Sequence, residues 1–202
     1  DYRPDHMRTV LDMATTSLTM GGRKVADHAD RLMINCSNGL LDPMTLELHP
    51  HDPDFITTTQ FPIVWDPEAT CPRFDEWVSR QAPGRRAQLL DAACLMLDPT
   101  VTPTKALFMF GPSRTGKSTF GKLLEAIVGQ DNTTSVSLHA MDTDTFSAAN
   151  LYGATLNLAM DISARDVKDL SLFKQITGGD IIRGNRKHGQ QFIFKPTALN
   201  CF

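Results

Sequence analysis

Eight consecutive residues, Gly111, Pro112, Ser113, Arg114, Thr115, Gly116, Lys117 and Ser118, constrain this chain more than any other stretch. Two glycines with four residues between them let a backbone turn tightly and approach a ligand closely. The amides of residues 113–117 can then converge into a nest for anionic oxygens. Context decides whether such a loop is more than a turn. Residues 105–110 form an apolar run behind Lys105, the texture of a strand buried on both faces. After the loop, Phe120, Leu123, Leu124 and Ile127 recur at helical spacing, with Gly129 beyond the end. Strand, glycine loop, helix is the order that sets an anion on a helix N-terminus. A chance glycine loop is the plainer reading, and both flanks argue against it.

The residue types point to a triphosphate, ATP with Mg²⁺. Residues Gly111 to Thr119 form the expected cradle, and Lys117 is placed to reach the β- and γ-phosphates. Ser118 is placed to coordinate Mg²⁺, and Thr119 to meet the α-phosphate. Hydrolysis needs in addition a carboxylate at the end of a neighbouring strand. Asp161 is the candidate, because it follows the apolar run Leu156, Asn157, Leu158, Ala159, Met160. Aspartate is also a favoured helix cap, and that reading stays open ahead of Ser163. Asp142 and Asp144 are weaker helpers, with a solvated helix start as their plainer role.

A second cluster stands out by charge. The chain has a formal net charge of −3, so attraction to nucleic acid must come from a local patch. Arg183, Arg186, Lys187 and His188 gather in a segment, residues 180–195, that reads as a hairpin. At a turn tip they can contact a phosphate backbone, although a solvated turn is the commoner role of such clusters.

The rest of the chain sets the frame. Residues 5–20 carry an amphipathic pattern closed by Gly21 and Gly22, and residues 31–49 read as small hairpins. There Met44, Leu46 and Leu48 alternate with polar residues, as in a half-buried strand. Residues 61–65 are a further extended piece, and residues 66–72 resemble a linker. Two short helices follow, one around Phe74, Trp77 and Val78, the other around Leu89, Leu90, Ala93 and Leu97. A helix over Val167 to Lys174 is stopped by Gly178 and Gly179, and residues 197–202 begin another buried strand. This divides the chain into 1–70, a helix and hairpin segment; 71–100, a helical linker; and 101–202, an α/β core. No apolar run reaches the roughly 20 residues of a membrane span. Four cysteines without zinc spacing read as reduced thiols of a cytoplasmic protein, and His49, Pro50, His51 and Asp52 read as a polar turn rather than a metal site. The first residue is Asp1 and the end resembles an unfinished strand, so the chain reads as part of a longer protein.

Taken together, residues 38–42, 46–50, 55–67, 71–72, 111–119, 150–163, 173–187 and 192–194 resemble the superfamily 3 helicase region of phage and plasmid primase–helicases, related to the poxvirus-type primase–helicase. The stretch 150–180 with the basic hairpin behind it carries most of that resemblance. It implies an AAA+-like P-loop ATPase core, truncated at its C-terminal end. It also implies a homo-hexameric ring translocating on single-stranded or forked DNA, with a primase region fused or associated, in the cytoplasm of a bacterial host. Leu156 to Asp161 match the family's Walker B strand, and Lys187 and His188 match its DNA-gripping positions. The family's sensor asparagine and arginine finger fall beyond Phe202, and Asn200 is not assigned the sensor role, so turnover by this stretch alone is expected to be weak. Two rivals remain: an ATP-gated DNA-binding or loading module without unwinding, and a P-loop small-molecule kinase.

Overall fold

The computed structural model describes residues 32–55, 57–98, 101–160, 168–187 and 189–202. The helix expected over 5–20, Asp161 and His188 lie outside the described residues.

Two short antiparallel pairings open the described chain. β1 (Ile34–Cys36) pairs with β2 (Gly39–Leu41), and β2 pairs with β3 (Leu48–His49). The alternation at residues 44–49 does not extend β3 as expected. Asp42 Oδ1 accepts from the amides of Met44 (2.9 Å) and Thr45 (3.3 Å), which folds residues 42–45 into a turn. Leu46 then sits at φ 61°, and Met44 projects into solvent at 86% exposure. The extended piece at 61–65 runs alongside β1, with Phe61 N donating to Asn35 O and Ser37 N donating to Ile63 O, both at 2.8 Å.

Two helices follow. α1 (Pro72–Gln81) starts on Pro72, whose missing N–H costs nothing in a first turn. α2 (Arg86–Leu97) buries Ala92 and Met96. An exposed ion pair, Arg86 Nε to Asp75 Oδ1 at 2.7 Å, joins the two and contributes little.

The remainder is mixed α/β, built on a four-stranded parallel sheet of order β4-β9-β6-β5. Its strands are β4 (Ala106–Leu107), β5 (Thr133–Thr134), β6 (Leu156–Leu158) and β9 (Leu199–Cys201). β6 and β9 are central and buried, apart from the half-buried Leu158 at the end of β6, as their apolar runs predict. β4 differs from expectation. It pairs with β9 alone, and Phe110 beyond it is 82% exposed, so this run is not buried on both faces. Burial on both faces needs a neighbour on both edges, and among the described residues β4 has one.

α3 (Lys117–Val128) links β4 to β5 and buries Phe120, Gly121, Leu124 and Val128. A Cβ on Gly121 would stand 3.1 Å from both Leu158 and Met160, so the missing side chain lets α3 lie close against β6. α4 (Leu138–Thr143) is capped by the Ser137 hydroxyl, which accepts from Ala140 N. Asp142 therefore lies in the last turn of α4 rather than at a helix start, and its carboxylate accepts the amides of Lys168 and Asp169 at 2.9 and 3.0 Å. α5 (Ser171–Gly178) ends on Gly179 in the left-handed region, as the paired glycines predict. The hairpin β7 (Ile182–Gly184) and β8 (Phe192–Phe194) then leads into β9.

One apolar cluster joins Ile34, Cys36, Leu41 and Phe61 to Met96, Phe120, Leu124, Leu156 and Leu199. A second gathers Val136, Leu151, Ile176, Ile182 and Phe202 on the side of α4 and α5. Each fully buried Leu, Ile or Phe contributes roughly 1.5–3 kcal/mol by leaving water.

Candidate functional site

The glycine-rich loop leaves the C-terminal end of β4 and enters α3 directly, the end of a parallel sheet where ligand-binding loops gather. Three residues hold its shape with positive φ: Gly111 at 153°, Arg114 at 65° and Gly116 at 84°. Gly116 is the residue preceding α3 and lies in the left-handed region, which glycine enters without strain. Arg114 enters it with a side chain, at a cost of about 1 kcal/mol, the kind of strain found where a loop is held for use.

Lys117 opens the helix and turns its side chain back over the loop. Its Nζ donates to Gly111 O at 2.8 Å and to Pro112 O at 2.7 Å, with Thr115 Oγ1 at 3.4 Å. The Thr115 hydroxyl donates to Pro112 O at 2.9 Å. Among the described residues Lys117 makes no ion pair, and its ammonium is met by the two carbonyls and the Thr115 hydroxyl.

The loop lines a cleft of about 570 Å³ with Ser113, Arg114, Thr115, Gly116, Lys117, Ser118 and Thr119 on one side. Trp77 and Gln81 of α1, together with Met160, complete it. A second groove, of about 640 Å³, continues past Ser118 and Met160 between α3 and the ends of β5 and β6. Ser118 and Met160, the residue that precedes Asp161, line both grooves. Of the cleft's walls, Trp77 and Gln81 carry no motif. The periodicity around residues 74–78 marks Trp77 as apolar surface and holds no signal of what it covers.

The basic hairpin stands apart from this cleft. Its strands lead into the N-terminal end of β9, whereas the glycine loop sits at the C-terminal end of β4, β9's parallel neighbour. Arg183, Arg186 and Lys187 are exposed there. The Arg186 guanidinium lies 5.1 Å over the Phe192 ring, and Asn185 Nδ2 donates to Thr145 O at 3.3 Å, tying the turn to the body. A Cβ on Gly184 would meet the Phe192 ring at 2.5 Å, so glycine is required opposite it. Tyr152, 56% exposed, packs edge-to-face with Phe192 and Phe194 at 5.2 and 5.4 Å.

Among the described residues no three His, Cys, Asp or Glu side chains gather as metal ligands. His51 Nε2 lies 3.4 Å from Ser37 O, in contact with the hairpin turn. No described helix is long and apolar enough to cross a membrane.

Residues 12–81 match the model described as D5 N terminal like, a domain found in primase–helicase proteins of phages, plasmids and viruses. Residues 109–202 match the model of a family of unknown function (DUF5906). The first match suggests involvement in a replication primase–helicase and so an association with DNA. The second covers the glycine loop, α3, β6 and the basic hairpin in one stretch.

Proposed function

We propose that this chain is the nucleotide-driven part of a phage or plasmid replication helicase, with ATP held at the glycine loop and DNA at the β7–β8 hairpin. One observation carries the reading: the loop and the end of the β6 stretch share a cleft, with Ser118 and Met160 on its wall. Asp161 is the next residue in the chain.

The donor set suits a triphosphate with a divalent ion. It offers a turn held by positive φ, one ammonium, and the hydroxyls of Ser118 and Thr119 at a helix N-terminus. Residues Gly111 to Thr119 cradle the phosphates, and Lys117 exchanges its two carbonyl partners for phosphate oxygens. Ser118 and Asp161 hold Mg²⁺. When bound, that ion neutralises phosphate charge and so favours attack at the terminal phosphorus. On the other side Arg186, Lys187 and His188 grip the strand backbone, while β8 passes directly into β9, the strand between β4 and β6. Movement of the hairpin is thereby tied to the sheet that bears the loop. The match over residues 12–81 supports a replication context. An AAA+-like core over 101–202, preceded by a linker at 71–100 and the tail of another domain at 1–70, belongs to the same proposal. So do a hexameric ring, an associated primase and a place in the host cytoplasm.

The test is calorimetric titration of Mg·ATP into the chain and into its Lys117→Ala variant, with DNA-stimulated phosphate release measured on the full-length protein. Saturable binding lost in the variant supports the reading. Binding untouched by the variant, or turnover indifferent to DNA, sinks it.

A further inference from the structure

Trp77 lies outside the glycine-loop motif and yet touches it. A Cβ built on Gly116 would stand 2.7 Å from Trp77 Nε1, 2.9 Å from Cζ2 and 3.0 Å from Cε2. The indole edge therefore rests directly on the glycine at the loop's exit. The indole is itself fixed from two sides. It lies parallel to Phe120, the fourth residue of α3, with centroids 6.0 Å apart and planes 6° apart. It also stacks on Phe74, one turn earlier in α1, at 6.2 Å and 23°. Gln81 follows Trp77 by one helical turn and faces the same cleft. Trp77 is thus a rigid plate, clamped between α1 and α3, with one edge against the loop.

Gly116 is the residue whose conformation decides where the loop amides point, because it carries the chain from the turn into α3 at φ 84° and ψ 7°. A wall that fills the space beside its Cα restricts the exit peptide to that conformation. The contact also joins the two stretches that match different families, since Trp77 falls within residues 12–81 and Gly116 within residues 109–202.

We propose that Trp77 is a positioning residue for the nucleotide: its indole edge holds Gly116 in the phosphate-ready conformation and carries occupancy of the loop into α1. This rests on the phosphate reading of the loop and adds a residue and a route of coupling to it. The route is physical, because a shift at the exit peptide presses on a half-buried ring stacked between Phe74 and Phe120.

The chain holds two tryptophans, Trp65 and Trp77, so Trp65→Phe leaves Trp77 as the single indole reporter. In that background, Mg·ATP is titrated while Trp77 emission is followed, and binding is measured separately by equilibrium dialysis with labelled ATP. The emission is expected to change and to saturate at the concentration dialysis gives. Trp77→Phe keeps a ring against Phe120 but withdraws the edge from Gly116. It is expected to weaken Mg·ATP binding about tenfold, because glycine without a wall beside it is free to leave the phosphate-ready conformation, with an unaltered melting temperature. A merely structural tryptophan would move melting and affinity together. If dialysis shows binding while the emission stays flat and Trp77→Phe binds like its parent, the positioning role is overturned and the phosphate reading stands. If the parent binds no Mg·ATP by dialysis, both fall.

Discussion

Asn157 Nδ2 donates to Asn200 Oδ1 at 2.9 Å across the β6–β9 pair, and neither side chain has any exposure to solvent. Asn157 also accepts from Val136 N at 2.6 Å and donates to Val136 O at 3.0 Å. One buried amide thus ties the segment following β5 to both central strands. Asn200 adds a weaker bond, from Nδ2 to Ala198 O at 3.3 Å. A polar pair in such a place is stable because nearly every donor and acceptor is matched.

The two asparagines are expected to differ in cost. Asn157→Leu strands the Val136 backbone groups and the Asn200 oxygen, and should lower unfolding free energy by about 3 kcal/mol. Asn200→Leu leaves the Val136 bonds in place and should cost about 1–2 kcal/mol. Urea denaturation of both variants measures this, and equal or reversed costs would remove the network's asymmetry from the account.

At the loop, Lys117→Ala should lower Mg·ATP affinity by at least about a hundredfold, as expected for a lost charge-assisted contact to phosphate. Stability should hardly change, since the lysine's present partners are exposed carbonyls that water can satisfy. Calorimetry and thermal melting on one preparation separate the two. A large loss of stability with affinity retained would make Lys117 a structural brace.

Gly116→Ala meets two penalties at once: φ of 84°, and the Trp77 edge at 2.7 Å. The first costs about 1–2 kcal/mol, and the second forces the indole off the loop. Nucleotide affinity should therefore drop more in Gly116→Ala than in Trp77→Phe. An alanine variant that binds ATP like its parent would show that the exit conformation is immaterial.

For the hairpin, Lys187→Ala should weaken single-stranded DNA binding at all sequences and reduce the salt slope of the binding constant by about 0.7. Arg186→Ala should do the same and also uncover the Phe192 ring, adding about 0.5–1 kcal/mol of lost stability. Fluorescence anisotropy across a salt series reads both slopes. Unchanged slopes would return the cluster to the role of a solvated turn.

The thiols supply a pH test. Burial pushes Cys201 from the ordinary 9.0 up to about 12, and burial also raises Cys36, while Cys71 and Cys94 are exposed. The folded chain thus keeps the Cys201 proton to higher pH than the unfolded chain. The stability this contributes is whole below about pH 9 and is lost as pH rises through about 12. At pH 8, iodoacetamide should modify Cys71 and Cys94 rapidly in the native protein and reach Cys36 and Cys201 only after unfolding. Rapid native labelling of Cys201, read by peptide mass, would contradict its burial.

Elements whose cause is local were legible in the sequence. α3 announces itself by its apolar spacing, and the β7–β8 turn by its glycine and asparagine. Gly179 ends α5 where the glycine pair predicts. What failed depended on distant partners. The exposure of Phe110 follows from how many strands flank β4, and its one partner among the described residues, β9, lies about ninety residues later in the chain. At residues 44–48 a period of two was present, but the Asp42 carboxylate captured two amides that a strand would have used. The Asn157–Asn200 pairing and the indole edge on Gly116 are lateral contacts between separate elements, and no spacing rule encodes them.

The side chain of Lys117 already rests on two oxygens of its own loop, so any incoming guest has to outbid those dipoles before it can be gripped. On the phosphate reading proposed above, neutral molecules and weakly charged anions would lack the field to draw the ammonium away, and a chain of several phosphates would have it. Admission would then be sorted by valence first, ahead of any feature of sugar or base.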